Sequence, residues 1–262
     1  MKKMEYIKNE WTRVFTEMSK TPGFARMASG DMTVAHYKEI MRQIFHHARE
    51  NPQIQALATV YFRGRQRDMV KTFYRHAISE IGHDQLAMND LAMLGEDVSC
   101  LPYERPLPAT SALLSYAFYQ IQYHNPIGYL GYLFHLEFMP TQNGRAYMDM
   151  FSKIGVPVEA MSFIRDHASV DVGHNKLMEQ YVEHLITTPD DLESVVYAAT
   201  VTAKLYANMI QESFEHADHP RTYGIARREW NALGADELEE TMGSEGREGS
   251  ERSDFKDSVA HV

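Results

Sequence analysis

The chain has 262 residues, 44% hydrophobic and 24% charged, with a formal net charge of −10, an ordinary globular composition. Its single cysteine, Cys100, excludes a disulfide framework and thiolate zinc sites, which need two or more cysteines. The acidic balance argues against a nucleic-acid partner, no apolar run approaches the roughly 20 residues of a membrane span, and Met1–Tyr6 carries two lysines with no apolar stretch behind them, so a cytoplasmic protein without signal peptide or membrane partner is expected.

Met4, Ile7, Trp11, Val14, Phe15 and Met18 recur at steps of three and four and predict a first helix. Thr21-Pro22-Gly23 is expected to end it. Asp31 reads as the N-cap of a second helix bearing Val34, Tyr37, Ile40, Met41, Ile44, Phe45 and Ala48. Asn51-Pro52 is expected to break or kink it, and a third segment continues to about Phe62. One long helix is predicted from about Asp68 to Leu94, stopped by Gly95. Pro102, Pro106 and Pro108 mark a connection. Helices are then expected at about 110–123, 126–139 and 145–154, the last two separated by Pro140-Thr141-Gln142-Asn143-Gly144, and at about 157–187 and 190–217. No set of alternating β-type runs and no fixed-period repeat is found. The expectation is an all-α domain of seven to eight helices over residues 1–234. Residues 235–262 hold nine acidic and three basic residues and a Gly/Ser-rich stretch. Such a segment cannot bury enough apolar surface to offset its ordering entropy, so a disordered acidic tail is expected.

Three features carry chemistry. His167, Asp171 and His174 stand at i, i+4 and i+7, which on a helix is one stripe over two turns. Imidazole and carboxylate together suit iron, manganese or zinc better than calcium. Met161, Phe163, Ile164, Val170, Val172, Leu177 and Met178 share the segment, so the stripe is expected to face inward, where an unpartnered Asp is costly. Glu80 and His83 form a Glu-x-x-His pair, the spacing used in carboxylate-bridged dimetal bundles. His76 lies one turn before Glu80 and is a rival ligand. Glu137 sits in the apolar run Gly131–Met139 and needs a partner, either a metal or an arginine such as Arg145 or Arg165.

Glu80 and His83, then a lone Glu137, then His167-x3-Asp171-x2-His174 resemble the haem-oxygenase-like dimetal oxidases, the iron-containing redox enzymes, which share a fold with haem oxygenase, TenA and PQQ synthase. The resemblance spans roughly residues 5–217. It implies a haem-oxygenase-like bundle and two Fe(II) ions per chain held by these six residues, Glu80, His83 and His167 on one and Glu137, Asp171 and His174 on the other. It further implies O₂ as co-substrate and a non-haem diiron oxidase or monooxygenase with a biosynthetic role. Members oxygenate amine nitrogens, cleave C–C bonds of amino acids or decarboxylate fatty acids. A small amine or amino acid is the expected substrate class, and a fatty acid is the alternative. An iron-binding or iron-storing protein, or a metal-free ligand-binding protein of the same fold, is the alternative of another class. No histidine precedes His36 to serve as a proximal haem ligand, and Cys100 falls in the Pro-containing connection, which disfavours a thiaminase-like reading. Arg165, Arg145, His46 and Tyr123 are candidate substrate contacts, since an arginine in the cavity would clamp a carboxylate. The reading admits an external electron donor and a homodimer.

Overall fold

A computed structural model describes residues 3–220 except Val170, and leaves the side chains of 169–175 and all of 221–262 outside the described residues. The expected tail at 235–262 therefore lies outside them. The described residues are mostly helical, with no strand among them. In chain order the α-helices are α1 (Lys3–Met18), α2 (Pro22–Ser29), α3 (Val34–Ala58), α4 (Val70–Glu80), α5 (His83–Met93), α6 (Pro108–Tyr123), α7 (Tyr129–Lys153), α8 (Ser162–Ser169), α9 (Asp171–Leu185) and α10 (Pro189–Asp218).

Several boundaries differ from the sequence expectation for identifiable reasons. Thr21-Pro22 ends α1 but also opens α2, because a proline at the first helical position loses no hydrogen bond there. The cap of α3 is Thr33, not Asp31: its backbone N–H donates to His36 Nδ1 at 2.9 Å, closing a capping box. Pro52 and Pro140 lie inside α3 and α7 without ending them. The expected interruption at 140–144 is therefore absent, since packing on both sides of a helix can outweigh one lost backbone bond. Conversely, the long helix expected over 68–94 is two helices. Gly82, at φ 98°, occupies the left-handed region between Glu80 and His83, where a side chain would be strained. The helix expected from 157 begins with a 3-10 turn at Val158–Ala160 and becomes α-helical at Ser162. Thr188 and Asp191 cap α10 reciprocally, as the Thr-Pro-Asp-Asp stretch suggests.

Helix α10 packs on α1, α2, α3, α6 and α7, and α3 packs on α4, α5, α6 and α7. These two and α7 form the centre. Their contact faces bury Tyr37, Phe45, Tyr132, Phe134 and Phe214 almost completely, and Met41, Met139 and Met209 fill gaps among them. Helix α8 lies against both α5 and α7. Its N-terminus is fixed by Asp90 of α5, which is fully buried and accepts hydrogen bonds from the backbone N–H of Ser162 (2.8 Å) and Phe163 (3.0 Å) and from the Ser162 hydroxyl (2.6 Å). One carboxylate thereby satisfies the first donors of a helix from a different part of the chain. Trp11 of α1 is tied to α7 in the same manner, its Nε1–H donating to the fully buried His135 Nδ1 at 3.1 Å.

The closest approach of α7 to α10 is at Gly131, where a Cβ would collide with the carbonyl oxygen of Val195 and press on the Ala199 backbone. Neither neighbour is a flexible side-chain end, so the helices would have to separate. Gly131→Ala is therefore expected to destabilise the domain by about 3 kcal/mol. The loss would be read as a lower urea midpoint at unchanged slope; an unaltered midpoint would refute this account of the packing.

Candidate metal centre

Five side chains from four helices meet beneath α3. The last turn of α4 carries His76 and Glu80 at i and i+4, so both project from one face. Their heads are 3.6 Å apart, from His76 Nε2 to Glu80 Oε1. The turn at Gly82 then places His83, the first residue of α5, with Nδ1 2.9 Å from Glu80 Oε2. The Glu-x-x-His spacing thus converges through a turn between two helices, not along one helical face. Glu137 enters from α7, its Oε1 3.2 Å from His76 Nε2. This imidazole contact is with neither of the arginines considered as partners, Arg145 and Arg165, both of which are exposed. His167 comes from α8 and meets the His83 ring edge to face, centroids 4.8 Å apart.

The possible ligand atoms of Glu80, His83 and His167 all lie within 4.8 Å of one another, and so do those of His76, Glu80 and Glu137. Glu80 and Glu137 are about nine-tenths buried, with side-chain exposures of 9% and 10%. Buried carboxylates and imidazoles at this spacing fit a divalent first-row metal such as iron. The tautomer of His167 fits as well. Its Nδ1–H donates to the Phe163 carbonyl at 2.7 Å, which leaves the Nε2 lone pair available, the arrangement common to metal-binding histidines. Asp171 and His174, the remaining expected ligands, are the first and fourth residues of α9, and their side chains lie outside the described residues.

The charges explain the titration behaviour. Burial would raise the Glu80 carboxyl, but hydrogen bonds from His76 and His83 outweigh it and hold the group far below the usual carboxylate range. Burial would likewise depress His76, yet Glu137 and Glu80 lift it to about 9. The hydrogen bond to Glu80 also raises His83.

A cavity adjoins the cluster. It is walled by Glu80, Glu137, His167, His47 and Asn51. An apolar pocket shares Met139, Phe163 and His167 with it and is lined further by Ile40, Met27 and Ile210. Among the described residues no Arg or Lys lines either pocket. Of the four candidate substrate contacts, none lines it. Arg145 on α7, Arg165 on α8 and Tyr123 at the end of α6 are exposed, and His46 is buried elsewhere on α3. The helix-face register decides this: His47, one residue on, is the histidine that faces the cavity. Tyr132 fixes it, its hydroxyl 3.0 Å from His47 Nε2 and 3.0 Å from Asn51 Oδ1. The i, i+4 spacing of His47 and Asn51 is the signal from which this wall could have been read. Cys100 is exposed, away from these residues.

This geometry belongs to a known class of fold. A domain of unknown function with a heme oxygenase-like fold from Shewanella denitrificans OS217 superposes with a TM-score of 0.72 at 22% identity, covering 84% of this chain and 96% of that one. TenA homologues from P. horikoshii OT3 (TM-score 0.66, 10% identity, 82% of this chain and 99% of that one) and Pyrococcus furiosus (0.65, 11%, 81% and 100%) share the architecture. The fold is haem-oxygenase-like. The family model for iron-containing redox enzymes matches residues 38–207, and the chain belongs to that family. No curated protein matches it. Among the described residues no helix is long and apolar enough to cross a membrane.

Two buried histidines outside the cluster, His47 and His135, contribute to a pH response. Burial holds His47 down at about 4, with the nearby His167 adding to it, and His135 down at about 3, with His47 adding to it. Unfolded histidine titrates near 6.5, so below that value the unfolded chain binds protons that these two positions refuse. Stability is fully present above about pH 6.5 and is lost as pH falls toward 4, at about 1.4 kcal/mol per pH unit for each histidine. Urea melts from pH 7 to 4 are expected to show this decline, smaller in His47→Gln; a flat profile would refute it.

Proposed function

We propose that this member of the iron-containing redox enzyme family is an O₂-dependent non-haem diiron oxidase or oxygenase with a biosynthetic small-molecule substrate. The observation that carries the reading is Glu80, shared by two groups of metal-ligand side chains in an apolar interior. Glu80, His83 and His167 would hold one iron, and Glu137 with Asp171 and His174 the other. Ferrous iron in these positions would supply electrons for O₂ chemistry. The chain's own part is to orient the donors and keep water out. The carbonyl of Phe163 fixes the His167 tautomer, and the rings of Phe163 and His167 stack at 4.0 Å between centroids. His47, neutral at physiological pH, offers the cavity a hydrogen-bonding group without a charge.

A small amine or amino acid was the substrate class expected from the family resemblance. One observation favours the fatty-acid alternative: among the described residues the pocket between α2, α3 and α10 is lined mainly by apolar side chains, which suit an aliphatic portion of a substrate.

Anaerobic titration of the full chain with Fe(II) is expected to saturate at two equivalents, and Glu80→Ala to bind neither tightly. O₂ uptake by the loaded protein is expected to depend on an added organic molecule, tested with an aliphatic carboxylate, an aliphatic amine and a polar amino acid. Absence of stoichiometric iron would overturn the reading in favour of a metal-free ligand-binding protein. Uptake indifferent to every organic addition would favour iron storage.

A further inference from the structure

Glu80 presents its two oxygens to two different imidazoles, Oε2 to His83 and Oε1 to His76. A buried carboxylate with one oxygen turned to each of two donor groups has the disposition of a bridge between two cations. On the Oε1 side the described donors are His76 and Glu137, 3.2 Å apart. We infer that His76 is a ligand of the second metal position, together with Glu137 and the bridging Glu80. The inference rests on the dimetal reading above and extends its ligand set. The second position takes a nitrogen donor from α4, one turn before the bridge, and does not depend on α9 alone.

The surroundings of His76 favour this role over a plain ion pair. The residue is 3% exposed. Tyr181 of α9 stacks beside it, ring centroids 6.0 Å apart and planes 20° apart. The Tyr181 hydroxyl points at the Thr72 carbonyl, 3.5 Å away, as a donor, and lies 3.3 Å from His76 Nδ1. Tyr181 thus holds Nδ1 from the outer side while Nε2 faces Glu80 and Glu137. The Phe163 carbonyl holds Nδ1 of His167 in the same position. Both inward-facing histidines have the outer nitrogen held by an oxygen, the support that metal-binding imidazoles use.

The test is anaerobic binding of Fe(II), and of Co(II) as a spectroscopic substitute, to the full-length protein and its variants. Wild type is expected to take two equivalents. His76→Ala is expected to keep the first and to bind the second at least about 100-fold more weakly, with Tyr181→Phe weakening it about 10-fold. In His76→Gly, added imidazole is expected to restore the second equivalent and its Co(II) absorption. Restoration separates a lost ligand from a disturbed fold, and far-UV circular dichroism of each variant checks the helices. A His76→Ala protein that binds two equivalents at wild-type affinity would overturn the assignment while leaving the dimetal reading intact. A wild-type protein that binds no iron would overturn both.

Discussion

The Glu80 carboxylate is ionised inside a helical core, and the surrounding structure answers that one charge. An isolated buried carboxylate would cost several kcal/mol unless matched by cations or donors. Two imidazoles from consecutive helices supply the match, one on each oxygen. For the second of them to arrive, the chain must change direction directly after Glu80. Gly82 makes that turn, being the residue type that enters the left-handed region without strain. The helix break, the buried charge and the capacity for metal are therefore one feature.

The remaining helices hold the pieces in place. Asp90 ends up buried because it caps α8 from α5, and α8 then delivers His167 opposite His83. Helix α7 carries Glu137 and is anchored at its other face by the Trp11–His135 hydrogen bond and by the tight Gly131 contact with α10. Donors on separate, well-anchored helices keep their spacing when the charge among them changes. A metal site needs that constancy as it loads.

The same architecture serves proteins of unlike activity, TenA homologues among them, so the fold alone does not select a reaction. Discrimination lies in the site. Among the described residues no cationic side chain lines the pocket beside the cluster, and the neighbouring pocket is largely apolar. The family membership supplies iron and redox chemistry. Glu80 is common to both groups of possible metal-ligand side chains.

Much of this protein was legible in its sequence wherever the information is local. Helical periodicity and the Glu80-x-x-His83 spacing are written within a few turns of chain, because 3.6-residue geometry repeats without reference to the rest of the fold. The all-α class followed from it, whereas the grouping of Glu80 and His83 with the distant Glu137 and His167 came from the family resemblance. Local signals misled where two readings share one sequence. Thr21-Pro22 both ends and begins a helix, Pro52 and Pro140 are tolerated by packing, and Gly82 breaks a run that periodicity alone would continue. Only the tertiary structure decided which way each side chain faces and what it meets. It turned Arg145 and Arg165 outward and His47 inward, paired Glu137 with His76, set Tyr181 behind that histidine and joined Asp90 to α8. Such contacts depend on the rotation of one helix against another, and that is fixed by the whole core and not by the spacing along any one of its helices.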